Sequence, residues 1–290
     1  MPLCRVHYLT LTDAQICIAD IADIVNEDAN NIIHHGTGDC LTVPNTVVVD
    51  MKAWLEGPFS AGQMNDALRA ATLLPSSEPY TGLGFSHVGG GGGETVLAGV
   101  FDVTGPDAVV DWVMVELRDA NAPATIVSTR SALLQRDGDI VGMDGTSPVV
   151  LFATPGNYHV ALRHRNHLGV MTASAVALGA TATTIDLRTA STPTWGSEAR
   201  KDLGGGAMGC WMGNTVQDGQ IKYTGSFNDR DPIISVIGGT APTNVVIGYY
   251  REDSDLSGIV KYTGSGNDRD PILNNIGGVV PTNTRTEQLP

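Results

Sequence analysis

Residues 218–244 and 257–283 are two versions of one sequence. At an offset of 39 positions they agree at 18 of 27, and KYTGS, NDRDPI and PTN stand in both. A duplication of this length dictates two copies of one supersecondary unit that bury a shared face. Each copy reads as an acidic loop, a short strand at KYTG, a polar turn, and a helix opened by NDRDPI and stopped at IGG. Asp followed by Pro suits a helix start, and Gly suits its end.

The loops carry oxygen ligands at alternate positions, the spacing by which a loop of the EF-hand kind surrounds a hard cation with side chains at positions 1, 3 and 5, Gly at 6 and a carbonyl at 7. In the second copy these positions are Asp253, Asp255, Ser257, Gly258 and the carbonyl of Ile259. Position 12 is Gly264, which has no side chain, so the closing acid is expected from Asp268 or Asp270, in the first turn of the helix. The first copy offers Asn214, Asp218, Gln220, Asp229 and Asp231, with Val216 where a ligand belongs. Calcium is the expected ion, and fewer carboxylates predict weaker binding in the first loop.

Upstream, residues 95–190 contain apolar runs (TVLAGVFDV, AVVDWVMVELRD, ATIVSTRSALLQ, SPVVLFA, NYHVALRHRN, LGVMTASAVAL, TTIDL) parted by Gly-Pro, Asp-Gly and Pro-Gly turns. That spacing predicts a two-sheet sandwich. The expected organisation is an N-terminal segment 1–44, a strand-rich connection 45–94 ending in five consecutive glycines, the sandwich 95–190, a linker 191–205, and the duplicated module 206–290. The glycine run lacks the Lys and helix start of a phosphate loop and reads as a flexible connection. Thr12 to Gln15 resembles a capping box before apolar positions Ala14, Cys17, Ile18, Ile21 and Val25, which predicts an amphipathic helix.

The strings VELRD, RDGDIVGMDG and TPGNYHVALRH resemble carboxypeptidase-regulatory or transthyretin-like sandwiches. DGQIKYTGSFNDRDPI, REDSDLSGIVKYTGSGNDRDPIL and the ending GGVVPTNTRTEQLP resemble the C-terminal region of large secreted Bacteroidota surface proteins. LEGPF, MNDALR and LLPSSEPYTGLG are similar to the segment that precedes it. The resemblance implies a mainly β chain: an Ig- or transthyretin-like sandwich followed by a small α+β, dockerin-like pair of calcium loops. It further implies an extracellular or cell-surface location and a calcium-stabilised, non-enzymatic role. Asn214 and Val216 depart from its usual first loop, D-x-N-x-D-G.

Charge and composition narrow the partners. A net charge of −14, with four lysines among 17 basic residues, argues against nucleic acid, which needs clustered cations. No apolar run is long enough to span a bilayer, and the first twenty residues lack a secretory leader pattern. The chain is therefore expected to be either cytoplasmic or a mature or partial form of an exported protein. Cys4, Cys17, Cys40 and Cys210 have no CxxC spacing, so zinc is not expected; outside the cell one disulfide among the first three would fit, with its pairing open.

His34 and His35 read as solvated loop residues. His159, His164 and His167 do not converge on one strand face, and RHRNHLG reads as a hairpin closure. Asp137, Asp139 and Asp144 read as Asp-Gly turns. No GxSxG occurs, and Asp111, Glu116 and Asp119 lack an evident acid–base partner, so an enzyme is not expected. Trp54, Trp112, Trp195 and Trp211 are dispersed, without a glycan platform. The expected function is a structural protein of a surface assembly or fibre that self-associates, with a spare N-terminal strand to lend to a neighbour. The alternative is an adhesin or docking module for another surface protein or a glycan.

Overall fold

The computed structural model describes residues 45–290 and, before them, the backbone of two short strands, Gln15–Cys17 and Cys40–Thr42. These strands pair antiparallel with Cys17 opposite Cys40. Gln15–Cys17 is thus extended where a helix was expected; the rest of that span, and His34 and His35, lie outside the described residues. The chain is mainly β, with several antiparallel sheets, consistent with a β-sandwich.

The largest sheet has nine strands. Its central strand Val109–Asp119 pairs antiparallel with Ile126–Gln135 on one side and Gly156–Arg163 on the other. Asp139–Val141 follows Ile126–Gln135, and Val149–Phe152 pairs with Thr46–Lys52. Thr183–Asp186 pairs parallel to Thr46–Lys52 and closes that edge. Six of the seven apolar runs supply strands; TVLAGVFDV instead makes one bridge at Thr95 and a single 3₁₀ turn, Val100–Asp102. The strand Thr46–Lys52 alternates half-buried and buried residues along its length and belongs to this sheet, so no sheet boundary falls at residue 95.

Val109–Asp119 is covered on both faces. Val113, Val115 and Leu117 enter a core with Val47, Val49, Met51, Leu134 and Val160, while Trp112 and Met114 pack with Tyr80 and Leu133 behind it. Burial of this much apolar surface on two sides, at about 25 cal/mol per Å², is the main force holding the sheet. The same two-sided cover puts Asp111, Glu116 and Arg118 in the interior, where they must be paired.

The five-glycine run is no free tether. Gly89 and Gly91 lie flush on the strand Ile126–Gln135: a Cβ on Gly91 would stand 2.2 Å from the Thr129 carbonyl oxygen. Around it, the Glu94 carboxylate accepts hydrogen bonds from the Gly92 and Ser131 amides, and Glu78 accepts one from Gly93. Glycine is needed for close approach, not for flexibility. Gly91→Ala is expected to cost about 1–3 kcal/mol through overpacking, read as a lower urea midpoint with an unchanged slope. An unchanged midpoint would return the run to the status of a linker.

In the C-terminal region the two copies interlock. The first loop strand, Gln220–Lys222, pairs with Thr284–Thr286 at the end of the second copy. The second, Ile259–Lys261, pairs with Val245–Ile247 at the end of the first. The helices Arg230–Val236 and Arg269–Asn275 cover a core of Ile221, Ile233, Ile237, Val260, Ile272 and Ile276, and Leu168 joins it from the sandwich. No helix among the described residues is long and apolar enough to cross a membrane.

Candidate metal centre

The repeat grammar explains how each loop is held. Gly219 and Gly258, at the sixth loop positions, have φ of +74° and +82°, which a side chain rarely tolerates. The helices are capped by Asn228 and Asn267, whose side-chain oxygens accept the amides of Asp231 and Asp270 at 3.0 and 2.8 Å. This leaves Asp229 and Asp268, one residue later, free of the capping role expected of them; neither side chain caps its helix. Their carboxylates turn back into the loops. Asp268 accepts the amides of Ser254 and Lys261 at 2.7 and 2.8 Å, and Asp229 those of Val216 and Lys222 at 3.0 and 2.8 Å.

In the second copy this gathers three acids. Asp253, Asp255 and Asp268 each offer a carboxylate oxygen, and these oxygens lie within 4.8 Å of one another. Oxygens on a shell about 2.4 Å from a common centre can be no farther apart than that, so the spacing suits a calcium coordination sphere. Asp253 and Asp268 are fully buried, and among the described residues no ion pair includes any of the three acids. Burial pushes the Asp253 carboxyl up to about 8, with Asp268 and Asp255 adding to the effect and Arg165 opposing it. Burial, then Asp255, pushes Asp268 up to about 7. Buried carboxylates without a cation are costly, and the spacing of this set would suit a divalent ion.

Ser257 donates its hydroxyl to the Ile259 carbonyl at 3.3 Å, which puts these two expected ligands side by side. Asp270 stands apart, exposed and paired with Arg269 at 2.7 Å, so of the two late acids only Asp268 joins Asp253 and Asp255. Asp231 is likewise outside its loop, paired with Arg230 at 3.1 Å.

The first loop is built differently. Asp229 is buried, and burial pushes its carboxyl up to about 7. Asp218 pairs with the Lys222 ammonium at 3.0 Å and accepts the Gln220 amide. Asn214 occupies the position of Asp253, and its buried side-chain oxygen has no hydrogen-bond partner. An orphaned acceptor and a buried acid in one copy would suit a cation too, with one carboxylate fewer and a lysine competing for Asp218.

A turn of the sandwich is wedged between the loops. The Asn166 carbonyl accepts the amides of Gly213 and Asn214, and its side-chain amide donates to the carbonyls of Arg251 and Asp253 at 2.9 and 2.7 Å. One residue therefore touches the first loop position of both copies, by its backbone carbonyl in the first and its side chain in the second. Beside it, Arg165 is buried, bonded to Asp111 at 2.9 Å and to the Tyr250 carbonyl, with Tyr249 under its guanidinium at 4.2 Å. Burial would raise the Asp111 carboxyl, but Arg165 and the bonds from His164 and Tyr249 outweigh it and hold the group at about 2.

His164 and His167 meet with their Nδ1 atoms 3.1 Å apart, while His159 bonds the Thr172 carbonyl elsewhere. Burial holds both His164 and His167 below the usual imidazole range. His167 accepts the Gly57 amide on Nε2 and His164 bonds Asp111, so both rings are held in the interior. The sequence singled out the loop acids; Asn166, Arg165 and the Asp111 pairing had no motif to announce them. Comparison with protein-family models, curated proteins and solved structures gives no match.

Proposed function

We propose that the chain is a calcium-stabilised, non-enzymatic structural module of an extracellular or cell-surface protein, working as a subunit of a surface assembly. The observation that carries it is the Asp253–Asp255–Asp268 trio, two of whose members are wholly buried with no cationic side chain in salt-bridge reach among the described residues. Asp253, Asp255, Ser257, the Ile259 carbonyl and Asp268 would hold the ion in the second loop; Asn214, Asp218, the Gln220 carbonyl and Asp229 would hold it in the first. When bound, calcium supplies charge neutralisation and crosslinks loop to helix. Millimolar calcium outside cells matches loops of this kind, and the resemblance of the repeats to secreted surface proteins points the same way. Docking of another surface protein or a glycan is the second reading, favoured only by the exposed apolar residues of the repeat module.

Calcium titrated into chelator-stripped protein is expected to bind in two phases, the tighter one lost in Asp255→Ala. Asn214→Asp adds a carboxylate to the first loop and is expected to shift the weaker phase to lower free calcium. Protein that takes up no calcium by calorimetry at millimolar concentrations would remove the reading.

A further inference from the structure

Three side chains from distant parts of the chain meet at the end of the second repeat helix. Glu56 follows the short strand Trp54–Leu55, Lys201 lies on the strand Arg200–Gly204, and Asn275 ends the helix Arg269–Asn275. The strand Ala207–Cys210 sets the first two in register, pairing with Arg200–Gly204 on one side and with Trp54–Leu55 on the other.

Their hydrogen bonds close a ring. The Lys201 ammonium donates to the Asn275 amide oxygen at 2.8 Å and to Glu56 Oε1. Asn275 Nδ2 donates to Glu56 Oε2 at 2.7 Å and to the Met212 carbonyl at 2.9 Å. The Met212 amide, at 3.0 Å, fixes the same carboxylate oxygen. Beside the ammonium stands the Trp211 ring, its centre 5.3 Å from Nζ.

A salt bridge between Lys201 and Glu56 would need no amide. Here a primary amide is carried into the interior, with Asn275 only 1 % exposed, and is held by an amine at its oxygen and a carboxylate at its nitrogen. The helix itself does not ask for it: the 39-residue offset puts Val236 at the matching position of the first copy. The amine stands one bond from the amide carbon, and the carboxylate spans the nucleophile and the group that would leave. That is the placement acyl transfer requires, with proximity and proton transfer both prearranged.

We propose that Lys201 and Asn275 become joined by an isopeptide bond, with Glu56 as the proton carrier. Glu56 Oε1 takes a proton from the Lys201 ammonium, and the freed lone pair attacks Asn275 Cγ as the carbonyl electrons move onto Oδ1. Glu56 delivers the proton to Nδ2, the Cγ–Nδ2 bond breaks with its electron pair on nitrogen, and the carbonyl re-forms. The remaining proton of the former ammonium leaves with the ammonia, so an ammonium and a primary amide become a secondary amide and an ammonium ion. Nothing is oxidised, Glu56 ends as it began, and burial of the amide keeps water from competing. The event happens once per chain, without turnover, and ties the strand Arg200–Gly204 to the repeat across 74 positions of sequence. It needs no metal, so it stands or falls apart from the calcium reading.

Intact mass and tryptic mapping of the purified full chain, prepared in chelator, test it. The expected mass is one ammonia below that of the sequence, with a branched peptide that joins Lys201 to Asn275. Lys201→Arg and Glu56→Gln are expected to show the full mass and to lose the branched peptide. Asn275→Asp is expected to close as well, with the loss of one water in place of ammonia, a change that a purely structural asparagine would not produce. A wild-type chain of full mass, or an ammonia deficit without the branched peptide, overturns the bond. A branched peptide that persists in Glu56→Gln removes Glu56 from the reaction.

Discussion

Asp253→Asn is expected to change sign with the metal: it stabilises the calcium-free protein at pH 8 and destabilises the calcium-loaded one. Asp253 is buried against Asp268 and Asp255, and its carboxyl sits at about 8 when folded, against about 3.9 in an unfolded chain. A carboxyl raised on folding contributes stability that is fully present below the unfolded value, near pH 4, and lost as pH rises through the folded value. Asp268 and Asp229, both at about 7, act in the same direction and in an overlapping window.

Chelator-stripped protein should therefore lose stability between about pH 4 and pH 8, most steeply above about pH 6.5, because the buried His164 and His167, held below the usual imidazole range, oppose the loss at lower pH. Calcium binds the deprotonated form, so saturating calcium should flatten or invert this slope at its upper end. At 100 times its dissociation constant a ligand adds about 2.7 kcal/mol, and Asp253→Asn should forfeit most of that increment while gaining from removed repulsion in its absence. Thermal melts at pH 5 and pH 8, with calcium and with chelator, measure all four corners. Parallel pH slopes in the two metal conditions would show that the trio is not a metal site.

Arg165→Met is expected to cost about 3–5 kcal/mol, the loss typical of a buried ion pair broken on one side. Its guanidinium is the cationic partner nearest the fully buried Asp111, bonds the Tyr250 carbonyl and stacks over Tyr249. Without it, Asp111 keeps only His164 and Tyr249 as side-chain partners, and burial then favours its protonated form. The double change Asp111→Leu with Arg165→Met should recover much of the loss, because an apolar pair has no stranded charge. Denaturant melts give both values; a single-variant cost below about 0.5 kcal/mol would reduce the cluster to an ordinary surface pair.

The acidic loop of the second copy was legible because its pattern is local. Alternating Asp253, Asp255 and Ser257 before Gly258 is a pattern within six residues. The closing acid was legible only as a choice between Asp268 and Asp270, since which one turns inward depends on Asn267 taking the helix cap. The sandwich strands were mostly legible from their turns. The glycine run misled, because close packing and free rotation use the same residue. The brace of Asp111, Arg165 and Asn166 was hidden: 54 residues separate the paired charges, and nothing in RHRNHLG says that its turn meets two loops far down the chain.

The sequence by itself determined the repeat, its acidic loops and a mainly β chain, because each of these follows from short-range spacing and backbone preference. Tertiary structure alone decided which acids converge and that Asn166 ties both loops to the sandwich. Those outcomes depend on distances between residues far apart in the chain, and such distances are set only when the apolar surfaces of the whole molecule have packed.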